Sequence, residues 1–182
     1  MRTILNAAIF GLVATTLTAC SPVATFPSDT RALNQYSVAN EPVPTLIAEA
    51  VNYACSMYDP DGDPAINLPA GTSILLYRKV IDRLGDGHPQ LDPNEPAFSI
   101  VKVRARGIDA EVDLFIPNID GSHSLATLTF RREFRKYVHI RTKWWDTGEQ
   151  VPPVNYVILE RHEADQVPLD DGPVEQPVLA HD

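Results

Sequence analysis

The sequence predicts an α+β domain in which two N-terminal helices pack on one face of a curved, four- to five-stranded antiparallel sheet. Three observations carry this expectation. Apolar residues recur at three- and four-residue intervals between positions 45 and 84. Beyond Pro96 the apolar period shortens to two. Gly107-Ile108 falls between two alternating stretches whose facing charges are opposite in sign.

The first helix is expected over Thr45–Tyr58, where Ile47, Ala50, Val51, Ala54, Cys55 and Tyr58 form one stripe. Cys55 lies in that stripe with no Lys, Arg or His near it in sequence to favour a thiolate, and reads as a small buried hydrophobe. A second helix is expected over Thr72–Leu84. Thr72 or Ser73 can cap it, Ile74, Tyr77, Val80, Ile81 and Leu84 share a face, and Gly85 ends it.

In the sheet, Val101, Val103 and Ala105 alternate with Lys102, Arg104 and Arg106, and Ala110, Val112, Leu114 and Ile116 alternate with Asp109, Glu111 and Asp113. A two-residue loop with Gly first fits a type II′ turn, which sets Arg106 opposite Asp109, Arg104 opposite Glu111 and Lys102 opposite Asp113. A third strand is expected to turn Ala126, Leu128 and Phe130 inward. A fourth is expected to turn Val138, Ile140, Thr142 and Trp144 inward, with His139, Arg141 and Lys143 on the polar face. A strict two-residue turn at Asp120-Gly121 would pair Ile116 with Leu125 and join opposite faces, so a longer loop or a bulge is required there. Tyr156–Leu159, after Pro152-Pro153, reads as one more edge strand. The two helices cover the apolar face.

Outside this domain, placed at 44–163, the chain reads differently. Residues 1–19 form a secretory signal peptide: Arg2, an apolar run from Ile4 to Ala14, and small residues before Cys20. The run is shorter than the ~20 residues that span a membrane. Leu17-Thr18-Ala19-Cys20 resembles the lipobox of bacterial lipoproteins. The resemblance implies cleavage between Ala19 and Cys20, acylation of Cys20, and a protein held to the membrane through its N-terminal lipid. Ser21 follows the cysteine where an Asp would imply inner-membrane retention, so the resemblance implies the outer membrane, facing the periplasm. Conversion of Cys20 to a thioether leaves Cys55 as the one remaining cysteine, and no intramolecular disulfide can form.

Residues 20–43 carry Pro22, Pro27 and Pro42 and read as the lipidated cysteine followed by a flexible tether, which at ~5–6 Å × √n would hold the domain roughly 25 Å from the bilayer. Residues 164–182 read as an acidic, Pro-rich, disordered tail. Helices followed by a curved antiparallel sheet, over about residues 44–160, resemble the nuclear transport factor 2-like and cystatin-like α+β folds. Those folds host enzymes, binding modules and secretion-system parts, so the resemblance implies no single activity.

The formal charge is −9, which excludes a nucleic-acid binder that neutralises phosphates over its whole surface. The distribution is uneven. Residues 98–144 hold nine Lys+Arg against five Asp+Glu, whereas 145–182 hold one against nine. Arg131, Arg132, Arg135, Lys136, Arg141 and Lys143, interleaved with Tyr137, Trp144 and Trp145, form a candidate patch for an anionic envelope polymer, lipid headgroups or an acidic envelope protein.

Asp59, Asp61 and Asp63 match the first ligands of an EF-hand, but Pro64 stands where that loop needs Gly and Ala70 where it needs Glu. An Asx-rich turn is the better account, and neither metal nor cofactor is expected. His88, His123, His139, His162 and His181 form no close zinc-type pair, and no phosphate or dinucleotide loop occurs. The expectation is therefore a lipid-anchored envelope protein acting as a binding or assembly module. The alternative is a small metal-independent hydrolase or isomerase with an apolar pocket between helices and sheet, lined by Tyr53, Tyr77, Asp113 and His139.

Overall fold

The computed structural model describes residues 23–28, 37–58, 63–146 and 151–155. In chain order the elements are β1 (Val23–Phe26), α1 (Val43–Tyr58), β2 (Ala65–Asn67), α2 (Ile74–Leu84), β3 (His88–Pro89), β4 (Ala97–Arg106), β5 (Asp109–Pro117), β6 (His123–Glu133) and β7 (Lys136–Trp145). The leader, Cys20, the run at Tyr156–Leu159 and the tail at 164–182 lie outside the described residues.

This order corrects the expected architecture. The sheet is mixed and seven-stranded, ordered β3-β2-β4-β5-β6-β7, with β1 also paired to β4. It is not a four- to five-stranded antiparallel sheet, and the helices do not both precede it. β1 lies before α1, β2 between the helices and β3 after α2. β2 runs parallel to both β3 and β4, whereas β1 runs antiparallel to β4. With β5 on one side of β4, β2 takes the other side near Ala97–Ser99 and β1 takes it near Val103–Arg106.

The three added strands are two to four residues long and each owes its ladder to a distant partner, so no sustained period announces them. β1 also alters the reading of 20–43 as a tether. Ala24 and Phe26 alternate into the core at 3% and 4% exposure, so Val23–Phe26 belongs to the sheet.

The meander β4-β5-β6-β7 is antiparallel, as expected. Gly107 has φ 64 while Ile108 keeps a negative φ, which a II′ turn requires, and the register sets Arg106 opposite Asp109, Arg104 opposite Glu111 and Lys102 opposite Asp113. The β5–β6 link is the longer loop that the facing rule demands: Asn118 and Ser122 close it, and Ile116 pairs with Ser124.

Both helices lie on one sheet face. From α1, Val43, Leu46, Ile47, Ala50, Val51 and Ala54 are buried against Val103, Val112, Leu114, Leu128 and Phe130. From α2, Leu76, Tyr77 and Val80 complete the core. Removing these apolar side chains from water is the main favourable term, roughly 1.5–3 kcal/mol for each large one. Cys55 is half-buried and packs against this core.

Strand β7 departs from the expected facing. Leu128 pairs with Thr142 but Phe130 pairs with His139, so a bulge opposite Thr129–Phe130 adds a residue to β7. Above the bulge the faces exchange. His139 turns toward the helices, and Val138 and Ile140 are 41% and 47% exposed. Below the bulge the expected facing holds, with Thr142 and Trp144 opposite the buried Leu128 and Ala126, although Trp144 is 45% exposed at the sheet edge.

Candidate functional site

The face of the sheet turned away from the helices carries an ordered polar layer. Both Nη atoms of Arg104 donate to Asp113, at 2.6 and 2.9 Å, and its Nε donates to Glu111 Oε2 at 3.1 Å. Thr127 Oγ1 donates to Asp113 Oδ1 at 2.7 Å and accepts from the Trp145 indole at 2.8 Å, and Lys143 Nζ lies 3.4 Å over the Trp145 ring. The Asp113 carboxylate beside it holds the Arg104 guanidinium even more firmly charged than usual.

The register is the expected one and Arg104 pairs with Glu111 as expected, but the other two ion pairs differ. Asp113, expected to face Lys102, is held diagonally by Arg104. Asp109, expected to face Arg106, pairs with Arg131 at 3.0 Å. Arg131 faces Asp109 directly across β5–β6, and the long Arg104 side chain reaches its diagonal neighbour Asp113.

The consequence is a groove of about 600 Å³ near the β4–β5 turn, lined by Arg104, Arg106, Asp109, Glu111, Thr129, Arg131, Ile140 and Arg141 among others. Four arginines face two carboxylates. Arg104 and Arg131 are engaged by those acids, whereas Arg106 and Arg141 form no ion pair among the described residues. Fork-shaped guanidinium groups so placed bind carboxylate or phosphate oxygens through paired, charge-assisted hydrogen bonds.

The expected basic patch is therefore divided. Arg131 and Arg141 line this groove, and Lys143 sits lower on the same face over Trp145. Arg132 and Arg135 line a separate recess of about 370 Å³ with Glu41, Thr45, Gly107 and Tyr137, and Lys136 is exposed beside them. Burial pushes the Tyr137 hydroxyl up, and the Glu41 carboxylate in that recess is bound by Arg83. Arg104 and Arg106, on the first hairpin, were missed as groove residues because the facing rule paired them with acids. Sequence reading could have found them only by allowing diagonal pairs. Cys20 and Ala19, the expected lipidation and cleavage sites, are outside the described residues.

The four residues expected to line an internal pocket do not share one. Tyr53 and His139 stack face to face, with centroids 3.8 Å apart, and His139 Nε2 lies 2.9 Å from Thr142 Oγ1. Tyr77 is buried, its hydroxyl accepts the Leu68 N–H at 2.9 Å, and burial raises its pKa. Asp113 is on the opposite face.

A third cleft, of about 460 Å³, lies between Glu95, Ser99, His123 and Val151–Val154. Glu95 there is held by His88 Nε2 at 2.8 Å and by the Leu91 N–H, and burial lowers the His123 pKa. Asp63, the described member of the acidic triplet, approaches His88 Nδ1 at 3.4 Å. Among the described residues no three His, Cys, Asp or Glu side chains gather to hold a metal ion, and no helix is long and apolar enough to cross a membrane. Comparison with protein-family models, with curated proteins and with solved structures finds no match to this chain.

Proposed function

We propose that this chain is a lipid-anchored protein of the bacterial cell envelope whose α+β domain is a binding or assembly module for an anionic partner, a polymer or an acidic protein surface. The observation that carries the reading is the groove in which, among the described residues, Arg106 and Arg141 stand without an acid while Arg104 and Arg131 are held in position by theirs. Fixed neighbours keep the groove in shape, and the two arginines without an acid offer charge that an anion can take up. The lipobox-like Leu17-Thr18-Ala19-Cys20 supports attachment through Cys20, and Ser21 supports the outer membrane, facing the periplasm.

The binding test uses polyglutamate and polyphosphate as probes. Arg106→Ser with Arg141→Ser is expected to weaken binding of one of them at least tenfold and to flatten its salt dependence, with the fold retained by circular dichroism. Binding indifferent to both substitutions and to salt overturns the groove. The anchoring test is Cys20→Ser, which is expected to leave unprocessed precursor and abolish partition of the mature form into the detergent phase. Mass spectrometry finding an unmodified N-terminus on the native protein overturns it.

A further inference from the structure

The two antiparallel hairpins end side by side. Arg132 N–H donates to the Ile108 carbonyl at 2.7 Å, which ties the β6–β7 turn to the β4–β5 turn. From these adjoining tips two large apolar side chains project into solvent, Ile108 at 58% exposure and Phe134 at 101%. Phe134 also holds φ 54, a left-handed conformation that costs a bulky L-residue free energy and that no packing contact offsets here. Arg132, Arg135 and Lys136 flank Phe134 in the chain with Glu133, while the other acids at this end, Asp109 beside Ile108 and Glu41 in the recess, are paired with Arg131 and Arg83.

The position of β1 gives this end a direction. Val23 pairs with Arg106, at the same end of the sheet as both tips, and only Ser21 and Pro22 separate Val23 from Cys20. Val151–Val154, from which the chain continues into its acidic C-terminal residues, lie at the other end beside Pro117 and His123.

We propose that this end of the sheet is a membrane-docking surface. Phe134 and Ile108 enter the interface of an anionic bilayer, Arg132, Arg135 and Lys136 meet its phosphate headgroups, and the domain stands flush on the membrane from which Cys20 emerges. The orientation rests on the anchoring reading above, whereas the affinity of the tips for lipid does not. Apolar side chains ringed by basic ones bind anionic interfaces through both area and charge. The recess lined by Glu41, Arg132, Arg135 and Tyr137 opens at this same end, between β1 and the hairpin turn, and its two arginines are of the kind that bind phosphate oxygens. The lipid supplies the attachment, and the tips fix which way the groove on the outer sheet face points.

The test begins with the mature chain, residues 20–182, carrying Cys20→Ser, so that the tips act without the anchor. It is expected to sediment with phosphatidylcholine–phosphatidylglycerol vesicles and not with phosphatidylcholine alone. Arg132→Ser, Arg135→Ser and Lys136→Ser together are expected to weaken that binding on the order of 100-fold, and Ile108→Ser with Phe134→Ser about tenfold. In lipidated protein with Cys55→Ala, a fluorophore at Phe134→Cys is expected to be quenched by nitroxide-labelled lipid. One at Ile119→Cys, exposed on the opposite loop, is expected to escape quenching.

Failure to bind anionic vesicles, binding unchanged by these substitutions, equal quenching at both sites, or an acidic protein that occupies the tips in place of lipid overturns the proposal. A bare native N-terminus overturns the anchor instead and leaves the vesicle result to decide the tips.

Discussion

The imidazole of His139 lies flat against the ring of Tyr53, with centroids 3.8 Å apart and planes inclined by 20°, and this contact joins the edge strand β7 to helix α1. Phe130 meets the same imidazole edge-on at 5.8 Å. Stacked aromatic pairs contribute about 0.5–1.5 kcal/mol beyond the area they bury. His139→Ala is therefore expected to destabilise the domain by about 1–2 kcal/mol, read by urea denaturation. Burial holds the His139 pKa below its ordinary 6.5, so the unfolded chain binds this proton more tightly. This contribution to stability is complete above pH 6.5 and declines as pH falls through the lowered value. His139→Phe should abolish that part of the pH dependence. An unaltered stability profile below pH 6.5 would show that the stack does not hold the neutral ring.

His88 works in the opposite direction. The hydrogen bond to Glu95 comes first in raising its pKa above 6.5, with the charges of Glu95 and Asp63 adding to it and partial burial opposing. The folded state thus favours the proton. Its contribution is fully present below pH 6.5 and is lost as pH rises through the raised value. Because Asp63 is two-thirds exposed and His88 itself about one-third, the effect is modest and screened by salt. His88→Gln should leave stability almost unchanged at pH well above the raised pKa and lower it at pH 5–6, read as a smaller gain in melting temperature on acidification. A larger gain in the variant would refute the assignment.

Asp113 is the hub of the outer face, with Arg104, Thr127 and through it Trp145 all converging on one carboxylate. Asp113→Ala leaves Arg104 with Glu111 alone and Thr127 without its acceptor. The expected cost is about 1–2 kcal/mol, at the low end for a broken charged pair because Arg104 is more than one-third exposed. Loss of the hub also frees Arg104 to swing into the groove, so binding of polyanions should change with stability. Asp113→Asn, which keeps an acceptor for Thr127, is expected to recover part of the stability. Equal losses in both variants would mean that charge alone matters.

How far the sequence discloses this architecture depends on whether the determinants are local. The β4–β5 hairpin is legible because turn chemistry at Gly107, apolar alternation and facing charges all specify one register, and the structure has that register. Helices α1 and α2 are legible through their apolar stripes. Strands β1, β2 and β3 are not, since Val23–Phe26 lies between Pro22 and Pro27, and Ala65–Asn67 and His88–Pro89 become strands only by pairing with residues brought near by the fold. The bulge that inverts half of β7 is likewise invisible to a period-two reading, which is why His139 was expected on the polar face. The basic residues of the candidate site were legible as a group. Their division between the groove and the hairpin tip follows from that same bulge, from the diagonal reach of Arg104 to Asp113, and from Arg131 facing Asp109 directly across β5–β6.

Phe134 sets stability against interfacial binding at one position. Its φ of 54 is a conformation in which a Cβ crowds the following carbonyl at a cost of roughly 1–2 kcal/mol, and its full exposure means that no packing is lost if the ring is removed. Glycine relieves the strain but loses more chain entropy on folding, so Phe134→Gly is expected to stabilise the domain by about 0.5–1 kcal/mol. The same substitution deletes the apolar group proposed to enter the membrane, and anionic vesicle binding should weaken in the same protein. Thermal denaturation and vesicle sedimentation performed together separate the two effects. A more stable variant that binds vesicles as well as the parent would show that the strained aromatic serves some purpose other than contact with lipid.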